Sequence, residues 1–202
     1  MDAPDDLPVA GTVVILRDGG DGLEVLLMRR PDRGSFAGGW VFPGGKVDEV
    51  DRRPGDSEID DARRAGLREV AEEVGIEVAG LVPLSTWHPP VEVPTRIRTW
   101  FFLAQAPAAE PVPSPAEVEE IAWSSPAAAL ARHAAGEWTL FPPTWVTLHR
   151  LSTFADAASA LAAAGAPVLF RTRVVERDGG RDFVWEQGTL DTRALPWRFV
   201  EA

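Results

Sequence analysis

Three glutamates stand close together in the segment REVAEEVGI, which covers residues 68–76. Glu69, Glu72 and Glu73 are spaced i, i+3 and i+4, so a helix would project their carboxylates toward one patch. Oxygen ligands that converge at short range suit a hard divalent cation such as Mg²⁺ or Mn²⁺, whose charge would relieve their mutual repulsion. Spacing alone leaves a second interpretation open, because a solvated acidic helix face has the same pattern.

The Gly44-Gly45 pair, at the end of the run WVFPGG, adds a second feature that suits an ion. Glycines let the backbone approach a ligand closely and expose carbonyl and amide groups. A turn that brings a backbone oxygen beside an acidic helix favours a metal site, although the same pair is also typical of an ordinary tight turn.

A helix is predicted for the glutamates themselves, over residues 60–74. At 100° per residue, the apolar side chains between Leu67 and Val74 share one face, and the three glutamates occupy the opposite face. Asp60 suits the positive end of the helix dipole, and Gly75 suits the position just after the last turn.

Strands and further helices are predicted on both sides of this helix. Strands mixed with a few helices indicate an α/β or α+β sandwich. The predicted elements are a β-hairpin within residues 9–28, a short strand at WVFPGG, strands within 79–87, 95–104 and 117–125, a helix over 126–135, a second helix over about 143–164, and a C-terminal β-hairpin.

The composition limits the class of function. The chain has 202 residues, of which 45% are hydrophobic and 25% charged, as in an ordinary soluble globular domain with terminal additions. It has no cysteine, which excludes thiol catalysis and cysteine-ligated zinc, and its three histidines, His88, His133 and His149, lack metal-ligand spacing. The net charge of −11 argues against a nucleic-acid partner. Without a secretory signal or a long apolar run, a cytoplasmic location and no membrane association are expected.

The segment REVAEEVGI resembles the second half of the Nudix box, which is written as G, five residues, E, seven residues, REUxEExGU, with U an aliphatic residue. Arg68, the three glutamates, Gly75 and Ile76 all match, and FPGGKVD at residues 42–48 resembles the usual lead-in. The first half differs. Asp60 stands eight positions before Arg68, where the family has Glu, and fourteen residues rather than five separate it from Gly45, which makes an insertion of nine.

This resemblance implies a Nudix α/β/α sandwich with a mixed β-sheet, together with an extra C-terminal helix and β-hairpin. The implied organisation is a flexible N-terminus at residues 1–8, a Nudix hydrolase domain at 9–165 and a C-terminal β-hairpin extension at 166–202. The insertion, and the segments SFAGGWVFPGG and LFPPTWVTLHRLSTFA, resemble the coenzyme A diphosphatase branch of the family.

The resemblance also implies roles for individual residues. Glu69, Glu72 and Glu73 would hold Mg²⁺ or Mn²⁺ together with the Gly45 carbonyl, or one of the three, Glu69 first, would instead serve as the general base. Arg68 would orient the glutamates. A further acid is expected among Asp60, Glu119 and Glu120. Arginine binds phosphate in a bidentate manner, so the candidate phosphate partners are Arg30, Arg33, Arg96 and Arg98.

The expected substrate is a small-molecule nucleoside diphosphate derivative, and coenzyme A or acyl-coenzyme A is favoured. NADH, ADP-ribose or a nucleoside triphosphate is the alternative within the same chemistry. A Nudix module that senses a nucleotide without cleaving it is the alternative from another class, and the retained glutamates argue against it. A serine-hydrolase elbow is absent from the sequence. A homodimer that pairs through the edge of the C-terminal hairpin is a possible assembly.

Overall fold

A computed structural model describes residues 7–34, 36–93 and 96–202 of the chain. Most of the segment expected to be flexible, residues 1–8, lies outside the described residues.

A mixed sheet of eight strands forms the centre of the molecule. Its strand order is β3-β2-β1-β6-β5-β8, with β4 paired to β1 and β7 paired to β2. β1 runs parallel to β6 and β5 parallel to β8, whereas the other pairs are antiparallel. The strands are β1 Val9–Gly19, β2 Gly22–Arg29, β3 Trp40–Val41, β4 Gly44–Lys46, β5 Val82–His88, β6 Arg98–Gln105, β7 Glu120–Ser124 and β8 Val168–Arg171.

Helices cover both faces of this sheet, which confirms the predicted α/β/α sandwich. Strands buried on both faces read as continuous apolar runs, because alternate side chains enter opposite layers. In β1, Val13 and Ile15 pack under α1, while Val14 and Leu16 pack under the other helices. The helices are α1 Glu58–Val74, α2 Pro126–Ala134, α3 Pro142–Leu151 and α4 Ala157–Ala163, and a 3-10 turn covers Glu49–Asp51.

α1 lies very close to β1 because the residues at their contact have small side chains or none. A Cβ added to Gly11 would overlap the backbone of Ala62, and one added to Gly66 would lie 2.9 Å from a methyl group of Val13. The helix ends where predicted, at Gly75, whose φ of 66° is left-handed and therefore suits glycine. These contacts fix the position of α1, which carries the three glutamates, relative to the Gly44-Gly45 turn.

The helix predicted over residues 143–164 is two helices, α3 and α4, so this expectation was wrong. Asp156 starts the second helix by accepting a hydrogen bond from the Ser159 N–H at 2.7 Å. Asp18, from the end of β1, accepts one from the Ala157 N–H at 2.8 Å. Alanine-rich composition fitted a continuous helix, but these two caps favour a new start.

The C-terminal hairpin is confirmed and belongs to a larger second sheet. β9 Arg173–Arg177 and β10 Gly180–Trp185 form it, and β11 Gly188–Asp191 and β12 Arg198–Glu201 continue it in the order β12-β11-β10-β9. Trp185 from this sheet meets the ring of Trp87 edge-on at 5.6 Å and so joins the core beneath α2–α4. The boundary expected at residue 165 stays a prediction.

Among the described residues, none of the helices is both long and apolar enough to cross a bilayer.

Candidate active site

The most buried acid of the site is Glu73, whose side chain is 1% exposed. It lies on the last turn of α1 and accepts two hydrogen bonds, from the Gly44 N–H at 2.9 Å and from Arg30 Nη1 at 2.6 Å. The glycine turn therefore meets the acidic helix through an N–H group. Arg30, just after β2, is the cation that compensates this buried carboxylate.

Glu69, Glu73 and Glu117 bring carboxylate oxygens together within 4.8 Å of one another. We call this group the carboxylate cluster. Glu117 comes from the loop between β6 and β7, which α1 holds in place: the Val112 N–H donates to Val74 O at 2.9 Å and the Ser114 N–H to Glu73 O at 2.8 Å. Sequence reasoning missed Glu117 because it predicted a strand over residues 117–125, whereas β7 begins at Glu120 and Glu117 lies in the loop before it.

Burial and crowding raise the pKa values of two of these acids. Burial raises the pKa of Glu73 to about 7; the Gly44 N–H and Arg30 oppose this rise, and Glu69 and Glu117 add to it. Burial likewise raises the pKa of Glu69, with Arg68 acting in the opposite direction. Negative charges held together at this cost are typical of a site that receives a cation.

Arg68 is fixed by an acid inside the lengthened loop. Asp51, 4% exposed, accepts hydrogen bonds from Arg68 Nε at 3.2 Å and from Arg68 Nη2 at 2.9 Å. Burial acts to raise the pKa of Asp51, but its hydrogen bonds from Arg68 and the Asp48 N–H outweigh burial and lower it. Arg68 also donates to Glu69 and Glu72, each at 2.9 Å, so it connects the loop to the acidic face.

Asp60, expected to occupy this acidic position, lies elsewhere. Its carboxylate accepts hydrogen bonds from Ser57 Oγ at 2.6 Å and from Arg63 at 2.9 Å, at the exposed start of α1. Asp51 stands six positions after Gly45 and therefore fits the box spacing counted forward from the glycine. The nine extra residues then fall between Asp51 and Arg68, and of the two acids it is Asp51 that accepts hydrogen bonds from Arg68.

Two other expected acids also lie outside the cluster. Glu119 is 3.5 Å from Arg29, and Glu120 pairs with Arg29 across β7 and β2. Glu72 is exposed on α1, with one carboxylate oxygen on Arg68. Its role as a metal ligand stays a prediction.

Gly45 lies directly beside Glu69. A Cβ at this position would collide with the Glu69 carboxylate, so the absence of a side chain lets strand and helix approach each other. Any other residue at position 45 would displace the Glu69 carboxylate.

Of the four arginines expected to bind phosphate, Arg30 pairs with the cluster through Glu73. Arg33 donates to the carbonyl of Ala116 at 3.1 Å and so ties its loop to the one that carries Glu117. Arg98 pairs at 2.5 Å with Glu58 at the start of α1, and Arg96 lies half-buried just before β6.

The cluster fits a divalent cation on the chemistry of its donors. It offers several carboxylate oxygens at short range, which is the donor set preferred by Mg²⁺ and Mn²⁺. A bound cation would also compensate the burial and, to a lesser degree, the repulsion that raise the pKa of Glu73.

Comparison with known proteins identifies the family of the chain. The model of the NUDIX domain matches residues 7–143. No curated protein matches the sequence.

Three solved structures illustrate the similarity of fold. A NUDIX hydrolase from Alicyclobacillus acidocaldarius matches with a TM-score of 0.70 and 24% identity, over 80% of this chain and 98% of that one. A MutT NUDIX hydrolase from Burkholderia pseudomallei matches with a TM-score of 0.54 and 28% identity, over 72% and 98%. The NUDIX domain of Shewanella oneidensis NrtR, complexed with ADP ribose, matches with a TM-score of 0.55 and 19% identity, over 74% and 87%.

Proposed function

Because this chain belongs to the Nudix family, we propose that the carboxylate cluster is the active site of a metal-dependent pyrophosphohydrolase. The substrate is a nucleoside diphosphate linked to another group, and water attacks one phosphorus of the diphosphate. The observation that carries the proposal is the convergence of Glu69, Glu73 and Glu117 within 4.8 Å beside the glycine turn.

Glu73 and Glu117 would hold Mg²⁺ or Mn²⁺, with Glu72 and the Gly45 carbonyl as further proposed ligands, and Glu69 lies beside them in the cluster. When bound, the cation neutralises phosphate oxygens and lowers the pKa of water.

The chain's own residues position this chemistry. Arg68 holds Glu69 in place and is itself fixed by Asp51. Glu69 is the proposed general base, since its raised pKa improves its ability to accept a proton from water. Arg30 lies within the site, beside Glu73, and is the proposed partner of a substrate phosphate.

Two substrates are proposed within this chemistry. Coenzyme A or acyl-coenzyme A is favoured by the likeness of SFAGGWVFPGG and of the insertion to the coenzyme A diphosphatase branch. ADP-ribose is favoured because a NUDIX domain of the same fold was crystallised with it.

The test is hydrolysis of both compounds with Mg²⁺ or Mn²⁺, followed by mass spectrometry of the products. We expect mononucleotide release that excess EDTA abolishes. We also expect Glu73→Gln to lower kcat by about 100-fold or more, because it removes a charged ligand from the cluster.

Glu77→Gln is the matched control, because it removes one negative charge at an exposed position just beyond α1. Its activity should equal that of the wild type. Turnover in EDTA, or full activity of Glu73→Gln, would refute the mechanism. Tight binding of ADP-ribose without any cleavage would instead identify a sensor.

A further inference from the structure

We propose that Arg64 is a positioning residue of the active site, which fixes the lengthened loop where Asp51 can accept hydrogen bonds from Arg68. The lengthened loop is the segment 47–57, between β4 and α1. The inference rests on the proposed function, because the side chains that Arg64 positions lead to the carboxylate cluster.

Arg64, on α1, donates hydrogen bonds to three separate points of the chain. Its Nε donates to the carbonyl of Asp51 at 2.5 Å, in the first half of the lengthened loop. Its Nη1 donates to Asp56 Oδ2 at 2.8 Å, near the end of the loop. Its Nη2 donates to Asp61 Oδ1 at 2.5 Å, on the first turn of α1. One guanidinium therefore ties two points of the loop to the helix.

Asp51 is held by two arginines of the same helix. Arg64 and Arg68 are four residues apart, so their side chains lie on one face of α1. Arg68 donates to the Asp51 carboxylate, from Nε at 3.2 Å and from Nη2 at 2.9 Å. Arg64 donates to the backbone carbonyl of the same residue. The backbone contact sets where the Asp51 carboxylate lies, and the side-chain contact passes that position on to Arg68.

A continuous series of hydrogen bonds connects Arg64 to the carboxylate cluster. Arg68, once fixed by Asp51, donates from Nη1 to Glu69 at 2.9 Å, and Glu69 is a member of the cluster. Loss of the contact between Arg64 and the loop would let Asp51 move, and Arg68 would then hold Glu69 less firmly. The effect of Arg64 on the site is therefore expected to pass through Asp51.

A guanidinium suits this position better than an ammonium group. Arginine offers five N–H donors in a planar fork, whereas lysine offers three donors from one atom. The three acceptors of Arg64 belong to different residues, and the fork reaches each with a different nitrogen. Lysine would keep the charge but could not keep all three contacts.

The neighbouring arginine provides a matched control. Arg63 has the same charge and lies on the same turn of α1, but it pairs with Asp60 at 2.9 Å, at the exposed start of the helix. Its guanidinium also lies 5.5 Å from the ring centre of Phe102. Arg63→Gln therefore removes one positive charge from this turn and leaves the contacts of Arg64 in place.

The first test measures amide hydrogen exchange of residues 48–56 by mass spectrometry, in EDTA and without substrate. The Asp51 N–H is bonded to Asp48 O at 3.0 Å, so it is protected while this turn stays formed. We expect exchange about 10-fold faster in Arg64→Gln, because hydrogen bonds to charged groups are lost. Arg63→Gln should match wild type. Equal exchange in all three proteins would overturn the inference.

The second test is a double-mutant cycle read by kcat and by Mn²⁺ affinity from calorimetric titration. Arg64→Gln should lower both by about 10-fold, the low end of the range for residues that orient metal ligands indirectly. Asp51→Ala removes the carboxylate that joins Arg64 to Arg68, so in that background Arg64→Gln should change either quantity by less than about twofold. Arg63→Gln should have no effect. An equal loss in both backgrounds would show that Arg64 acts independently of Asp51 and would overturn the inference.

Arg64→Lys is the second variant, for use if Arg64→Gln does not fold. It should show the same changes in exchange and Mn²⁺ affinity to a smaller degree, and wild-type values for both would overturn the inference. A wild type that neither binds Mn²⁺ nor cleaves a diphosphate would refute the proposed function. Faster exchange in Arg64→Gln than in Arg63→Gln would then still support the fixing of the loop by Arg64.

Discussion

Asp51 holds Arg68 from inside the lengthened loop, and Arg68 in turn contacts Glu69 and Glu72. An aspartate reaches one methylene less far than a glutamate, yet the 3-10 turn at 49–51 brings its backbone close enough for two hydrogen bonds to the guanidinium. The loop can therefore be longer than the family spacing without loosening the helix.

Asp51 and Asp60 form a matched pair for mutation. We expect Asp51→Asn to lower kcat by about 10- to 100-fold. Loss of a residue that indirectly orients metal ligands, as Asp51 does through Arg68, typically lowers activity by this factor. Asp60→Asn removes an equal charge from an exposed site and should stay within about twofold of wild type. Steady-state kinetics with Mg²⁺ measures both. Equal losses in the two variants would contradict the assignment of Asp51.

At the scale of elements, the site depends on how closely α1 packs against β1 and β4. Gly11 leaves room for the backbone of Ala62, and Gly45 leaves room for Glu69. The two glycines pair with each other across β1 and β4, so one glycine-lined strip lies beneath α1 and continues into the Gly44-Gly45 turn. A shift of α1 would move Glu69 and Glu73 together.

Gly11→Ala tests this packing. The added methyl group would overlap backbone atoms of α1, which cannot rotate away, so we expect a loss of about 1 to 3 kcal/mol in the free energy of unfolding. Gly20→Ala is the control, because a Cβ there meets nothing within 4 Å. Urea denaturation measures both variants. A Gly11→Ala protein as stable as wild type would show that helix and strand are packed less closely than described.

At the scale of the whole molecule, a chain with a net charge of −11 must handle an anionic substrate. The net negative charge of the protein does not attract a diphosphate to its surface. Cations held by the carboxylate cluster, with Arg30 beside them, would supply positive charge where it is needed. Activity should therefore depend on metal more than on the protein's overall charge.

The stability of the metal-free protein should depend on pH through Glu73. Its folded-state pKa of about 7 lies above the ordinary value of 4.5, so the folded state binds the proton more tightly than the unfolded state. The free energy of unfolding therefore falls as pH rises from about 4.5 to about 7, by about 3 kcal/mol in the absence of metal. Thermal or urea unfolding of wild type in EDTA, compared with Glu73→Gln, measures this difference, and the variant should lack it.

Binding of a metal ion should restore the free energy of unfolding that is lost as pH rises. At pH 8, Mg²⁺ at about 100 times its Kd should stabilise the wild type by about 3 kcal/mol, because it binds the folded state alone. Glu73→Gln should gain much less. Equal stabilisation of both proteins would place the ion away from Glu73.

The sequence by itself determined the helix and its chemistry. The period of α1, its end at Gly75 and the spacing of Glu69, Glu72 and Glu73 are local, since neighbours along a helix are fixed by its 3.6-residue repeat. The sandwich was also predictable, because apolar runs and glycine-rich turns report which segments are buried strands.

The tertiary structure decided which distant residues complete the site. Glu117 instead of Glu119 or Glu120, Asp51 instead of Asp60, and the pairing of Arg30 with Glu73 all join segments far apart in the chain. Loops have no period, so their sequence does not fix which side chain points inward. That direction is set by the packing of the loop against α1 and the sheet, which exists only in the folded molecule.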